Sequence, residues 1–134
     1  MSATKSTRRC GRLRRSKTPL EVQRGSLVCL SRVLSGASAL AIVVSNDVQN
    51  EASPYVLVVP VQRRRARLRA PFAVDLGRGE GFRDLHTARC DWATRVAKRE
   101  IKALERASLP QRVIEKIDQA LMAALGLAPH RAGI

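Results

Sequence analysis

The chain has 134 residues, 45% hydrophobic and 3% aromatic, with 25 Lys and Arg against 11 Asp and Glu for a formal net charge of +14. That length holds one domain rather than two, and that apolar content lets it bury a core unaided. So few rings disfavour base recognition on a wide stacking platform, while so large a cationic excess points to a polyanionic partner: nucleic acid, an acidic protein or an anionic membrane.

Residues 1–22 read as a disordered basic tail, ending near Pro19. Half of the charge excess, +7, lies within residues 1–24, so the body is basic in its own right. The Arg- and Ser-rich start has features of an organellar transit peptide but lacks an amphipathic apolar face. A solvated basic tail is the reading taken. No apolar run approaches the length of a membrane span. The folded domain is expected over 23–127, with a flexible C-terminus at 128–134.

Within the domain, residues 26–33 read as a first strand and 34–38 as a short turn. Residues 39–45 (ALAIVVS) are a continuous, largely β-branched run, the pattern of a strand buried on both faces. Asn46-Asp47 and residues 50–54 supply loop chemistry. Residues 55–60 form a third strand and 71–76 a fourth, ended by the glycine-rich 77–81. Residues 85–94 form a fifth, with Ala88, Cys90 and Trp92 on one face. Short strands at this spacing predict a small barrel or a strongly bent sheet. Residues 93–106 also fit a helical period. The last element is a helix: Ser108 with Gln111 forms a capping box, Val113, Ile114, Ile117, Leu121, Ala124 and Leu125 share a face, and Gly126 stands at the C-terminal left-handed position.

Cys10, Cys29 and Cys90 are odd in number and widely spaced, which fits neither a disulfide framework nor a metal knuckle. Cys29 and Cys90 read as small core residues, and a reducing compartment is expected. His86 and His130 have no Cys or carboxylate at ligand spacing, so neither a metal site nor a cofactor is expected.

An ordered series now becomes legible: Gln23-Arg24-Gly25, Val43-Val44-Ser45-Asn46-Asp47, Asn50, Ser53 through Pro60, Pro71-Phe72-Ala73-Val74, Cys90-Asp91-Trp92-Ala93-Thr94, and Ile117 through Leu127. Spread over residues 23–127, it resembles the MazF/PemK family of toxin endoribonucleases. The resemblance implies a small SH3-like β-barrel with a C-terminal helix, usually a homodimer. It implies cleavage of single-stranded RNA without metal, by attack of the ribose 2′-OH on the adjacent phosphate. It further implies a cytoplasmic protein, neutralised by an acidic antitoxin lying across the RNA groove. On the ambiguous segment, it implies strand at 88–94 and a turn near 97–99.

The departures fall on the chemistry. The family opens its second strand with Arg-Pro, and that Arg serves proton transfer and phosphate binding; here the pair is Ala39-Leu40. The Pro-hydrophobic-Thr pattern after the third strand reads Pro60-Val61-Gln62. The first loop shrinks to residues 34–38. Ala cannot move a proton or hold a phosphate, and a Gln amide is no acid or base at neutral pH.

Candidate RNA-binding residues are Arg63, Arg64, Arg65, Arg67 and Arg69. In an extended segment Arg63, Arg65, Arg67 and Arg69 would share one face, and guanidinium forks suit phosphate oxygens. Arg32, beside the short loop, is the candidate replacement for the missing Arg, and Gln62 the remaining polar group at the catalytic positions; the plainer role for Arg32 is an ordinary surface residue. Ser45 and Asn46 match family positions at a strand end and are candidate RNA contacts, with turn chemistry as the plainer role. His86 is either an acid/base or an ordinary half-buried His. Asp91 is expected to fix a loop, and Trp92 to be core or a base stacker. Three functions stay open: an active endoribonuclease with a rearranged site, a family member that binds RNA or antitoxin without cutting, and a basic structural RNA-binding protein.

Overall fold

The computed structural model describes residues 21–34 and 38–127. Nearly all of the expected tail, the 34–38 turn except its ends, and residues 128–134 lie outside the described residues. The elements are β1 (Leu27–Leu34), β2 (Ser38–Val43), α1 (Asp47–Ala52), β3 (Tyr55–Arg63), β4 (Ala73–Leu76), β5 (His86–Arg89), β6 (Thr94–Ala97), β7 (Ile101–Arg106) and α2 (Gln111–Ala124), with single 3-10 turns at Arg78–Glu80, Cys90–Trp92 and Lys98–Glu100.

The strands form an antiparallel sheet in the order β4-β5-β3-β2-β1-β7, with β6 paired to β3. Val58 is in register with Val43 on one side and Thr94 on the other, so β2 and β6 flank opposite edges of β3. Beyond Pro60, β5 takes over the second edge through Val61, Gln62 and Arg63. The sheet is strongly bent, and register shifts in β1 against both neighbours add twist. It does not close, because β4 and β7 end the ladder. The curled antiparallel sheet with its C-terminal helix is the expected SH3-like architecture, left open at its two ends.

Alternation divides the apolar side chains between two cores. Leu27, Ile42, Val59 and Val61 face α2 and meet Val113, Ile117 and Ala120. Val28, Leu30, Ala41, Val43, Val56 and Val58 face the other way, where the curl brings in Val96 of β6 and Ile101 of β7. The β-branched run of β2 is thus buried on both faces, as its sequence implies. Each such side chain contributes about 1.5–3 kcal/mol relative to exposure.

The apolar face of α2 is consumed by its own sheet: Val113, Ile114, Ile117 and Ala120 are all buried. Leu125, expected on that face, is 70% exposed. The helix begins after Pro110 and has no side-chain cap, so the expected Ser108 box does not form. Gly126 does adopt the left-handed conformation, at φ +74°. Where a loop was expected after β2, α1 forms, capped by the Asn46 side chain on the Gln49 amide at 2.8 Å. The single strand expected over 85–94 is interrupted at Cys90–Trp92 and resumes as β6, and 101–106 is strand rather than helix.

Cys29 is buried as expected but disulfide-bonded rather than a core thiol. Cys90 is a free, buried thiol, pushed up to about 12 chiefly by burial, with the nearby Asp91 and Asp118 charges acting in the same direction.

Gly25 joins the N-terminal segment to both layers. Its amide donates to the Val43 carbonyl at 2.8 Å and its carbonyl accepts from the Leu109 amide at 2.9 Å. Its φ of +95° suits glycine, and a Cβ there would press on the Ile114 side chain. Arg24 adds an ion pair to Asp118 of α2 at 2.6 Å. Replacing Gly25 with Ala should lower the melting temperature by about 5–10 °C, the counterpart of roughly 2 kcal/mol of strain and overpacking in a domain of this size. An unchanged melting curve would show that the helix docks independently of this turn.

Candidate functional site

β3 carries its last residues out of the core and into the arginine-rich loop. Arg63 is still in register with His86, and the Arg64 amide still donates to the Leu85 carbonyl at 2.9 Å. Beyond that the chain leaves the sheet, so the extended segment expected for residues 63–69 is a loop from Arg64 onward. The exposure pattern nevertheless holds for the arginines: Arg63, Arg65, Arg67 and Arg69 are exposed, while Arg64, Leu68 and Ala70 are half-buried. Arg63 lies 3.2 Å from the Asp84 carboxylate. Arg64 reaches the Ala66 carbonyl at 3.5 Å. Among the described residues no carboxylate pairs with Arg64, Arg65, Arg67 or Arg69. Four unneutralised guanidinium groups on one loop repel one another and favour an anion.

The loop is held down at its far end. The Phe72 carbonyl accepts from the Cys90 amide at 3.0 Å. The Arg89 guanidinium lies 3.8 Å from the Trp92 ring centre and 5.6 Å from that of Phe72. It also makes a two-pronged bond to Asp91, at 2.9 and 2.7 Å. Hydrogen bonding to Arg89 holds the Asp91 carboxyl below the usual carboxylate range, against the opposing effect of burial. A depressed carboxylate stabilises the fold at neutral pH, and this support fades as pH falls through the lowered value. Asp91 therefore bonds to a neighbouring arginine, and Trp92 is half-buried beneath that arginine.

The two catalytic candidates stand apart. Arg32 bonds to the Glu100 carboxylate at 2.6 Å, which keeps that carboxyl below its ordinary range. Gln62 is half-buried on β3, opposite Thr87 of β5. β2 lies between β1 and β3, which sets Arg32 and Gln62 on strands two spacings apart along the sheet, about 10 Å. Ala39 packs half-buried against Cys29 and Ala103, which leaves that position without a charged group. The candidates Ser45 and Asn46 are engaged in structure. Ser45 is 4% exposed; its hydroxyl bonds to the Asn50 side chain and accepts from the Leu57 amide at 3.1 Å. Asn46 caps α1. His86 is buried, beside Phe82, with Nδ1 2.8 Å from the Asp84 carbonyl. Among the described residues no three His, Cys, Asp or Glu side chains group as a metal site.

Next to the arginine loop lies a cleft of about 790 Å³ between Arg67, β4, the 77–80 turn and α2. Arg78 and Lys116 reach it as well as Arg67, together with Asp75 and Glu80, over apolar Val74, Ala120 and Ala123. Arg78, Arg89 and Lys116 escaped sequence reasoning. The i, i+4 spacing of Arg112 and Lys116 on the polar face of α2 was an available signal for the last. Arg89 carried none beyond its neighbour Asp91. Chemically, the loop and cleft offer positive charge that an anion would neutralise, while the candidate positions Ala39 and Gln62 supply no paired proton donor and acceptor.

Comparison with known proteins places this geometry. Residues 35–125 match the family described as PemK-like, MazF-like toxin of type II toxin–antitoxin systems. An endoribonuclease from a mycobacterial species superposes with a TM-score of 0.65 at 22% identity, covering 83% of this chain and 97% of its own. A mycobacterial endoribonuclease in complex with its cognate antitoxin gives 0.66 at 23%, covering 80% and 97%. A chain of the MazE–MazF complex (Form-III) from Deinococcus radiodurans gives 0.61 at 24%, covering 81% and 100%. At these identities the structural likeness is one of fold. The comparison with curated proteins gave no match. The family match covers most of the domain that the sheet and α2 build, and the chain belongs to the PemK-like, MazF-like toxins of type II toxin–antitoxin systems.

Proposed function

We propose that this chain is an RNA-binding toxin-family protein that grips single-stranded RNA along Arg63, Arg64, Arg65, Arg67 and Arg69 and cleaves it weakly or not at all. The exposed, largely unneutralised arginine loop carries the reading. Attack by a 2′-OH needs a proton acceptor, a donor at the leaving oxygen and charge stabilisation at phosphorus. The loop supplies the last. Ala39 and Gln62 supply neither of the others, and Arg32 is tied to Glu100.

The same loop suits an acidic antitoxin by charge complementarity, and a solved mycobacterial neighbour is bound to its cognate antitoxin. We place the protein in the cytoplasm on family membership; no helix among the described residues is long and apolar enough to cross a membrane. A homodimer follows from the family, and the buried face of α2 is already covered within the chain. Exposed Val33 and Leu57 are candidates for its contacts. The domain is taken as 23–127, between the basic tail and the C-terminus. The third reading, a structural RNA-binding protein of fortuitous resemblance, has lost its support with the family match over 35–125.

Replacing Arg63, Arg65, Arg67 and Arg69 together should flatten the salt dependence of RNA binding. The log–log slope on single strands changes by about 0.7 per phosphate contact, hence about 2.8 for four. An unchanged slope would move the RNA groove elsewhere on the sheet.

Restoring the missing chemistry gives the complementary test. Ala39→Arg with Gln62→Thr should raise cleavage at least about tenfold, a modest share of what a positioned proton-transfer group contributes. No gain, in a variant that still folds and binds RNA, would locate the acid and base elsewhere, with His86 next to be replaced.

A further inference from the structure

The cleft beside α2 has a charge balance that the fold does not require. Arg67, Arg78 and Lys116 enter it from three separate elements, and none has a carboxylate partner among the described residues. The two acids nearby are already engaged. Glu80 accepts from the Gly77 amide at 2.7 Å, closing its own turn. One oxygen of Asp75 accepts from the Thr87 hydroxyl at 3.1 Å, which leaves the second oxygen. At about 790 Å³ the cleft lies within the range of small-ligand sites, about 300–1,000 Å³. Its apolar lining, with half-buried Ala73 and Ala123, gives a sugar or base somewhere dry to rest.

We propose that this cleft is a nucleotide subsite that extends the RNA path off the arginine loop. Arg67 belongs to both surfaces and passes the strand from one to the other. Arg78 and Lys116 then hold a phosphodiester beyond the loop, and the nucleoside lies against Ala73 and Ala123. The remaining Asp75 oxygen accepts a hydrogen bond from an exocyclic amine, so the subsite prefers cytosine over uracil, which presents no amine. An acidic peptide would also meet the three cations, but it would place its carboxylates against Asp75. The inference rests on the RNA-binding reading above and adds a place and a base preference to it.

The test uses fluorescein-labelled (rC)10 and (rU)10, with binding followed by anisotropy across a salt series. Arg78→Ala with Lys116→Ala changes two exposed residues outside the arginine loop. It should reduce the log–log slope by about 0.7, the share of the one phosphodiester that the two residues hold, with the loop's own contribution intact. Wild-type protein should bind (rC)10 about fivefold more tightly than (rU)10, the low end of base-edge discrimination, and Asp75→Asn should abolish that difference. A slope unchanged in the double variant overturns the subsite, and so does weakened binding of a poly-glutamate peptide with RNA binding untouched. Equal wild-type affinities for the two oligomers overturn the base preference. Failure of the RNA reading itself looks different: the four-arginine loop variant would then keep its slope, whatever the cleft variants do.

Discussion

Burial of β2 and β3 on both faces is the constraint from which the rest of the molecule follows. Ile42 and Val59 point at α2 while Val43 and Val58 point into the opposite core. Through residues 41–43 and 58–61 the two strands have no free face on which to display chemistry. In the proposed reading, function is carried where β3 runs out, at its end and in the loop beyond it. The arginine loop begins where β3 loses its last partners, and Arg89 holds its far end between Phe72 and Trp92. A rigid double core therefore presents a cationic loop with both ends fixed, so a bound strand would meet a surface already formed rather than one it must order.

The same constraint bears on Ala39 and Gln62, the positions proposed for the chemistry. Ala39 lies on a strand whose neighbours are packed, and it joins Cys29 and Ala103 in a cluster of small side chains. That cluster provides neither charge nor a polar partner. Arg32, across β2 from Gln62, satisfies Glu100 instead. Distance and pairing together separate the groups that a proton relay would need to bring into contact. In the proposed reading, anion binding tolerates this separation because it depends on summed charge rather than on one aligned pair.

Much of this was legible where the pattern was long and one-sided. The β-branched run of β2, the apolar positions 113, 114 and 117 of α2, and the left-handed Gly126 could be read from residue type alone. Short elements could not. Asn46 and Asp47 carry turn chemistry that serves equally well as a helix cap, so the six residues of α1 were read as loop. Ile101 and Ala103 are buried at period two in β7, yet Val96, Glu100 and Leu104 supply a helical period over the same stretch; pairing of β7 with β1 decides between them. The break at Cys90–Trp92 was hidden because Ala88, Cys90 and Trp92 keep a strand's alternation through it. At the site, the exposure of Arg63, Arg65, Arg67 and Arg69 was legible as a charge run without acids. The convergence of Arg67, Arg78 and Lys116 was not, because it joins residues far apart in sequence across the β4–α2 gap.

The central claim, RNA binding without a competent proton relay, is tested most directly by incubating the purified protein with a long RNA in EDTA. RNA retention would be measured on part of each sample and RNA ends mapped on the rest. The account predicts that RNA is retained at low salt and released as salt rises, with ends no more frequent than in protein-free controls or accumulating only slowly. Rapid accumulation of discrete new ends bearing 2′,3′-cyclic phosphate, at a rate unchanged by Arg32→Ala and Gln62→Ala, would contradict it.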